Sequence, residues 1–270
     1  MSELTRHSGR RIVVALALAL ALGGCAKDKP DEYVEGTVET LYNQGSDQLM
    51  AENYKGAAKL FDEVDRQHPY SVWATRAQLM AAYAQYRDEK YDDAIISLGR
   101  FIQLHPGNRS VAYAYYLRAL SYYAQMVDVK RDQSASRQSL KSLTELLRRY
   151  PNTRYSRDAR RRVDMVRDQL AAAEMDRGRY YLVRKQYLAA INRFRTVVEK
   201  YQTSSQVPEA LHRLVEAYTA LGVTDEAQKA AAVLGYNYPS SDWYAESYAL
   251  VKGENVPPPE KKKSFWSRIF

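Results

Sequence analysis

The chain is sparing with the side chains that usually do chemistry. Its 270 residues include one cysteine, Cys25, and four histidines, His7, His68, His105 and His212. A lone thiol forms no intramolecular disulfide, no thiolate zinc cluster and no CxxC redox couple. His68 and His105 stand before prolines, at a recurring position that Tyr150, Tyr201 and Tyr238 fill elsewhere, so repeat packing accounts for them better than catalysis. His212 has no cysteine or second histidine at ligand spacing. No GxSxG elbow, P-loop or GxGxxG turn occurs. Acidic pairs such as Asp92-Asp93 fall at helix starts, where a carboxylate complements the helix dipole. The residues therefore predict no catalytic site, no metal and no cofactor. The use of the thiol must therefore be read from its position in the chain, where attachment of lipid is one candidate.

Its surroundings fit that chemistry. Arg6, Arg10 and Arg11 form a basic start, Ile12 to Leu22 an apolar core, and Gly23-Gly24 a small-residue stretch before Cys25. This is the layout of an export signal, and its core is too short for a bilayer of roughly 30 Å. Leu22-Gly23-Gly24-Cys25 resembles the bacterial lipobox, with Gly at the second position as a departure. That resemblance implies cleavage after residue 24 and a diacylated Cys25 as the mature N-terminus; the alternative is an ordinary signal peptide with a cysteine nearby. Each buried CH₂ of such chains contributes about 0.8 kcal/mol to anchoring. Ala26 after the cysteine resembles an outer-membrane sorting signal. Losing three arginines and Glu3 lowers the formal charge from +8 to +6. An exported protein meets no nucleic acid, so the run Arg157, Arg160, Arg161, Arg162, interleaved with Asp158 and Asp164, reads as a solvated helix face or a partner contact.

The elements that carry these residues are legible from an internal repeat. The segments RQHP, QLHP, RRYP, EKYQ and YNYP end at positions 69, 106, 151, 202 and 239, spaced by 37, 45, 51 and 37 residues. Twelve positions before each terminator stand Ala57, Ala94, Ser139, Ala190 and Ala227. Eight before stand Phe61, Leu98, Leu143, Phe194 and Ala231, and five before stand Val64, Phe101, Leu146, Val197 and Leu234. These columns form the buried stripe of a helix that proline ends. Ala77, Ala114, Ala159 and Ala210, eight positions after the terminators, mark a second helix. Small residues at matching points let paired backbones approach closely. The pattern is the tetratricopeptide one, with the period lengthened in the turns, and it predicts an all-α superhelix of about five helix-pair repeats from Thr37 to Leu250. Two irregularities stand out. Val127 to Arg137 lengthens the link inside the third repeat, and the helix from about Tyr155 runs far, with Gly178 as an expected interruption.

HPYSVWATRAQLMAAYAQY, RFIQLHPGNRSVAYAYYLRA, RRYPNTRYSRDARRR, GRYYLVRKQYLAAINRF and LGYNYPSSDWY, in this order behind a lipobox, resemble the BamD family, the lipoprotein subunits of the outer-membrane β-barrel assembly machinery. The resemblance implies a non-catalytic scaffold on the periplasmic face of the outer membrane. It divides the chain into a signal at 1–24, an acylated cysteine and tether at 25–36, substrate-receiving repeats at 37–109, partner-docking repeats at 110–250, and a Pro-rich linker with a basic aromatic tail at 251–270. It implies docking on periplasmic domains of the barrel-forming subunit, BamA, through Arg193, with Arg184 and Tyr181 as weaker carry-overs, and leaves room for the machinery's other lipoproteins. For Arg193 the alternative is an ordinary surface charge. Unfolded outer-membrane proteins are the implied substrates. Aromatics at the junction of the first two repeats, Tyr70, Trp73, Tyr83 and Tyr86, are the receiving candidates; the alternative is that they only pack the turn. Tyr91 shares a column with Tyr54 and Tyr187 and reads as core. The tail VPPPEKKKSFWSRIF suits a phospholipid interface, a partner clamp or a disordered solubilising end. A periplasmic repeat lipoprotein that organises cell-wall or division proteins is the alternative to the whole reading.

Overall fold

The computed structural model describes residues 36–253. Cys25, most of the tether and the tail from residue 254 lie outside the described residues, and so do the lipidation and membrane contacts expected of them. Among the described residues eleven helices follow one another: α1 Val38–Met50, α2 Tyr54–Gln67, α3 Val72–Arg87, α4 Tyr91–Leu104, α5 Val111–Ala124, α6 Ser134–Arg149, α7 Arg154–Val183, α8 Tyr187–Lys200, α9 Val207–Ala220, α10 Thr224–Asn237 and α11 Asp242–Lys252. They make five antiparallel pairs, α1–α2 to α9–α10, and α11 closes the far end against α9 and α10. Each helix packs on the next, and first helices of neighbouring pairs also touch (α1–α3, α3–α5, α5–α7). This is the expected all-α repeat architecture.

Every residue of the repeat columns is buried, Ala231 and its 8% exposure being the upper limit. The turns between pairs share one backbone shape. His68, His105, Tyr150, Tyr201 and Tyr238 have φ between −136° and −126° and ψ between 46° and 59°, and each amide bonds to the carbonyl four residues back. A following proline disfavours the helical region for these residues. Tyr201 takes the same shape before Gln202, so the stack itself also imposes it. Inside four pairs a three-residue turn places its middle residue in the left-handed region: Glu52, Glu89, Lys185 and Gly222, at φ 58° to 74°. The next amide then reaches five residues back, Asn53 to Gln48, Lys90 to Gln85, Gln186 to Tyr181 and Val223 to Tyr218. Only one of the four is glycine, so these hydrogen bonds offset the roughly 1 kcal/mol that a side chain costs there.

Within a pair, side-chain volume is exchanged across the helix contact. Phe61 faces Gly45 and Phe194 faces Gly178; an added Cβ would lie 2.9 Å from the Phe61 ring and 2.3 Å from the Phe194 ring. Where the second helix carries Leu98, the residue 16 positions earlier is Ala82; where it carries Ala231, that residue is Val215. Each of these latter pairs shares one buried cluster. Large beside small lets the two helices pack closely without a void or a clash.

The two long spacings are built differently. In the third repeat the additional residues sit mostly in the link, Gln125 to Gln133, as expected. In the fourth they do not enter a turn. They extend α7 to 30 residues, and Gly178 does not interrupt it. The spacing of 51 exceeds 37 by 14 residues, close to four turns at 3.6 residues each, so the helix keeps its buried stripe through Ala159, Val163, Val166, Leu170, Ala173 and Met175.

α11 docks through a buried polar contact. His212 of α9 places Nδ1 2.9 Å from Ser247 Oγ and stacks on Trp243 at 5.0 Å; Nε2 lies 3.4 Å from Glu246 and 3.8 Å from Glu216. Burial lowers the His212 pKa below its ordinary 6.5, outweighing the attraction of Glu216, and Arg213 also opposes protonation.

Two outcomes follow. Gly178→Ala should lose roughly 1–3 kcal/mol in urea denaturation, because the methyl group has no room beside Phe194. Adding Phe194→Leu, which recreates the Ala82–Leu98 combination, should recover most of that; a fully stable single variant contradicts the volume exchange. The second concerns pH. Below about pH 6.5 the unfolded chain takes up the His212 proton before the folded one does, so this contribution to stability is complete above that pH and declines as pH falls through the lowered folded value. Melting curves of the wild type and His212→Gln between pH 7.5 and 5, about the His titration range, should converge on the acid side.

Candidate functional site

The face expected to dock a partner is built by the end of α7 and by α8. Arg193 precedes the buried Phe194 and therefore turns outward, but it is not a free charge. Its Nη1 lies 3.2 Å from Glu174 Oε2 on α7, and Glu174 Oε1 also accepts from Arg177 Nη1 at 2.7 Å. The Arg193 side chain is 42% exposed, against 15% for Glu174. Two guanidiniums on one carboxylate leave a positive surplus. Glu174 keeps Arg177 when Arg193 leaves it, so Arg193 can turn to an external carboxylate without leaving the more buried carboxylate unpaired.

Its two companions separate from it. Arg184 caps α7, is exposed, and lies 3.7 Å from the Tyr180 ring centroid. Tyr181 is half-buried against the C-terminal core, and its carbonyl accepts the Gln186 amide that closes the turn. Arg184 thus presents a contact surface, whereas Tyr181 shapes the turn beneath it.

At the junction of the first two repeats lies a groove of about 830 Å³. Tyr42 of α1, then Val72, Arg76, Leu79 and Met80 of α3 form one side; His105 and Arg109 from the end of α4 and the following turn form the other. The four aromatic candidates do not line it. Tyr70 is fully exposed in the adjoining turn. Trp73 is partly buried on the N-terminal core, 4.8 Å from the Tyr42 ring, with the Arg76 guanidinium 5.5 Å from its own. Tyr83 and Tyr86 pack on the middle core, where Tyr83 OH accepts from Arg87 at 3.0 Å and Tyr86 meets Tyr91. The sequence signal that finds the groove is the stripe Val72, Arg76, Met80, one turn apart along α3 and outside the repeat columns, together with Arg109.

Tyr83 and Tyr86 belong instead to a tyrosine layer that crosses the first helices of three pairs. Tyr113 and Tyr116 of α5 stack on Tyr155 of α7 at 5.3 and 5.4 Å. Tyr116 OH donates to Asp158 at 2.5 Å, and Arg162 donates to the same carboxylate at 2.6 Å while covering Tyr123. Burial alone would raise the Asp158 pKa; the two hydrogen bonds outweigh it and hold the carboxyl below the usual range. The basic run is therefore partly consumed internally: Arg161 and Arg162 share Asp158, and Arg160 donates to the Pro151 carbonyl. Among the described residues no group of His, Cys, Asp and Glu is arranged to hold a metal, and no helix is long and apolar enough to cross a membrane.

Comparison with known proteins adds the following. A family described as outer membrane lipoprotein matches residues 34–234. A protein of Caulobacter vibrioides named outer membrane protein assembly factor BamD is 49% identical over 249 residues, covering 91% of this chain and 82% of the relative. Its namesake in Rickettsia prowazekii is 46% identical over 88% of this chain and 94% of its own, and that of Neisseria meningitidis 34% identical over 88% and 95%. A tetratricopeptide-repeat protein of Bacteroides fragilis aligns with 81% of this chain and 85% of its own at 16% identity and a TM-score of 0.41.

The aromatic candidates can be sorted by stability. Trp73→Ala should cost roughly 1–3 kcal/mol in chemical denaturation, since its partly buried ring packs beside Tyr42. Tyr70→Ala should stay within about 0.5 kcal/mol of the parent, as expected of a side chain that packs on nothing. Equal losses for both contradict these placements.

Proposed function

Because the chain belongs to the BamD family of outer membrane lipoproteins, we propose that it is an assembly factor for outer-membrane β-barrel proteins and works as a non-catalytic scaffold held at the periplasmic face by acylated Cys25. The observation that carries this reading is the match to proteins named for that role over about nine-tenths of the chain. In this proposal the C-terminal repeats dock on periplasmic domains of the barrel-forming subunit. Arg193 supplies the central contact by exchanging Glu174 for a carboxylate of the partner; an Arg fork can hold it bidentately. Arg184, which lies over Tyr180 beside Val183 and not beside Glu174, stands apart from that contact.

The N-terminal repeats receive the unfolded substrate in the groove at the first junction. Its walls combine Tyr42, Val72, Leu79 and Met80 with Arg76 and Arg109, which suits an extended segment carrying aromatic side chains and a carboxylate. Tyr70 stands beside the groove as an exposed ring that a bound segment can cover. The remaining aromatic candidates act through packing: Trp73 supports the groove wall, while Tyr83 and Tyr86 support the layer between repeats two and three.

Affinity capture of the full chain from envelope extracts tests the proposal. The expected product is a β-barrel protein with periplasmic repeats; recovery of cell-wall or division enzymes alone would overturn it in favour of that other scaffold role. Arg193→Glu should reduce capture about tenfold or more while helicity is retained, because it places like charges at the interface. Glu174→Ala removes the internal competitor of Arg193 together with the partner of Arg177, leaves both guanidiniums free for the partner, and should preserve or raise the yield. Loss of capture in both variants would mean that the Glu174–Arg193 pair orders the face and that neither charge meets the partner.

A further inference from the structure

The two departures from the repeat period meet in space. Contacts between α5 and α7 run at a fixed offset of 42 residues, Tyr116 to Asp158 and Tyr123 to Met165, and the same offset continues past the end of α5, where Gln169 Nε2 donates to the Val127 carbonyl at 2.8 Å. The long link of the third repeat thus takes over the neighbouring layer where α5 stops, beside the additional turns of α7. It is a built element. Gln133, only 1% exposed, donates to the carbonyls of Asp128 and Arg131 and accepts from Ser136 Oγ, while Asp128 also caps the Lys130 amide. Beyond Val127 the link leaves a cleft of about 540 Å³ between Lys130 and the residues Asp176, Arg179, Tyr180, Val183 and Arg184 of α7 and its cap.

This cleft lies on the far side of α7 from Arg193. At 100° per residue, Val183 and Asp176 point about 180° away from Glu174 and Gly178, which face α8. Its apolar lining is unusually bare, Val183 being 83% exposed and Tyr180 more than half exposed. Its charges are unbalanced. Arg179 is committed to both oxygens of Glu209 at 3.1 Å, whereas Lys130 and Arg184 have no ion pair among the described residues and face one carboxylate, Asp176. Arg184 is already ordered over Tyr180, so little freedom is lost when it binds.

We infer that this cleft is a docking site for an acidic polypeptide segment carrying aromatic or aliphatic side chains, engaged independently of the Arg193 face. Carboxylates of the segment meet Lys130 and Arg184, and its apolar side chains cover Tyr180 and Val183. A neutral insertion requires neither a buried glutamine network nor two insertions in register with each other.

Fluorescence anisotropy with the purified full chain and a short labelled peptide alternating Glu and Phe tests this. Binding should weaken about tenfold or more in the Lys130→Glu, Val183→Asp double variant and stay within about twofold of the parent in Arg193→Glu and in Arg157→Glu, which probes general attraction to a basic protein. Should the double variant misfold by circular dichroism, Lys130→Ala and Val183→Ala, both at exposed positions, replace it with the same expectation of weakening. Unchanged binding in the cleft variants overturns the inference. An equal loss in Arg157→Glu overturns it in favour of diffuse electrostatics. Binding of phosphatidylglycerol vesicles with the same dependence on Lys130 and Val183, and none of the peptide, overturns it in favour of a lipid surface. Each of these is separate from the capture experiment, which depends on Arg193.

Discussion

The close contact between the two helices of a pair is the constraint on which much else rests. In four of the five pairs volume is traded across it: Phe61 with Gly45, Leu98 with Ala82, Phe194 with Gly178, Ala231 with Val215. Close-packed interiors tolerate such trades when total volume is conserved and resist them when it is not. Such trades let unlike sequences stack as equivalent modules. The close contact also restricts how the stack can be lengthened. An insertion within a helix must approximate whole turns, as the 14-residue excess of α7 does, and any other must go into a link, as in the third repeat.

Most of the fold was legible because its signals are local. The columns at fixed distances from each terminator need only a few turns of one helix to be recognised, and all of their members are buried. Two things are not legible. Left-handed Glu52, Glu89 and Lys185 carry no glycine to announce the turn, whose hydrogen bonds impose the conformation instead. Gly178 reads as a breaker along the chain, but its meaning is the Phe194 ring on the next helix. The long helix from about Tyr155 is legible and is present as α7, where nearly four additional turns leave the buried face unchanged.

The candidate site was less legible, for a related reason. Arg193 turns outward because its neighbour Phe194 is buried, which one helix shows, but the carboxylate that occupies it lies 19 residues away on another helix. Aromatic density marked the junction of repeats one and two; the groove there is lined by residues outside the columns, and the conspicuous rings serve largely as its supports. A tyrosine-rich surface also gives the arginines somewhere to rest. Arg87, Arg154, Arg162 and Arg184 each lie within 5 Å of a tyrosine ring centroid. Such contacts contribute about 0.5–1 kcal/mol at exposed sites and keep long side chains ordered before a partner arrives.

α7 connects these features. One side supplies Glu174 to Arg193 and the Gly178 backbone to Phe194; another takes up the tyrosines of α5; its last turns wall the cleft against the long link. A 30-residue helix is about 45 Å long, so contacts at its two ends are too distant to interact directly. They are nevertheless joined through one rigid element whose position the buried stripe from Ala159 to Gly178 fixes on both neighbouring pairs. The end of α7 is tied to α8 chiefly by the Phe194 ring on Gly178, where even one added carbon would clash, so the two helices can shift against each other there only by disturbing that contact.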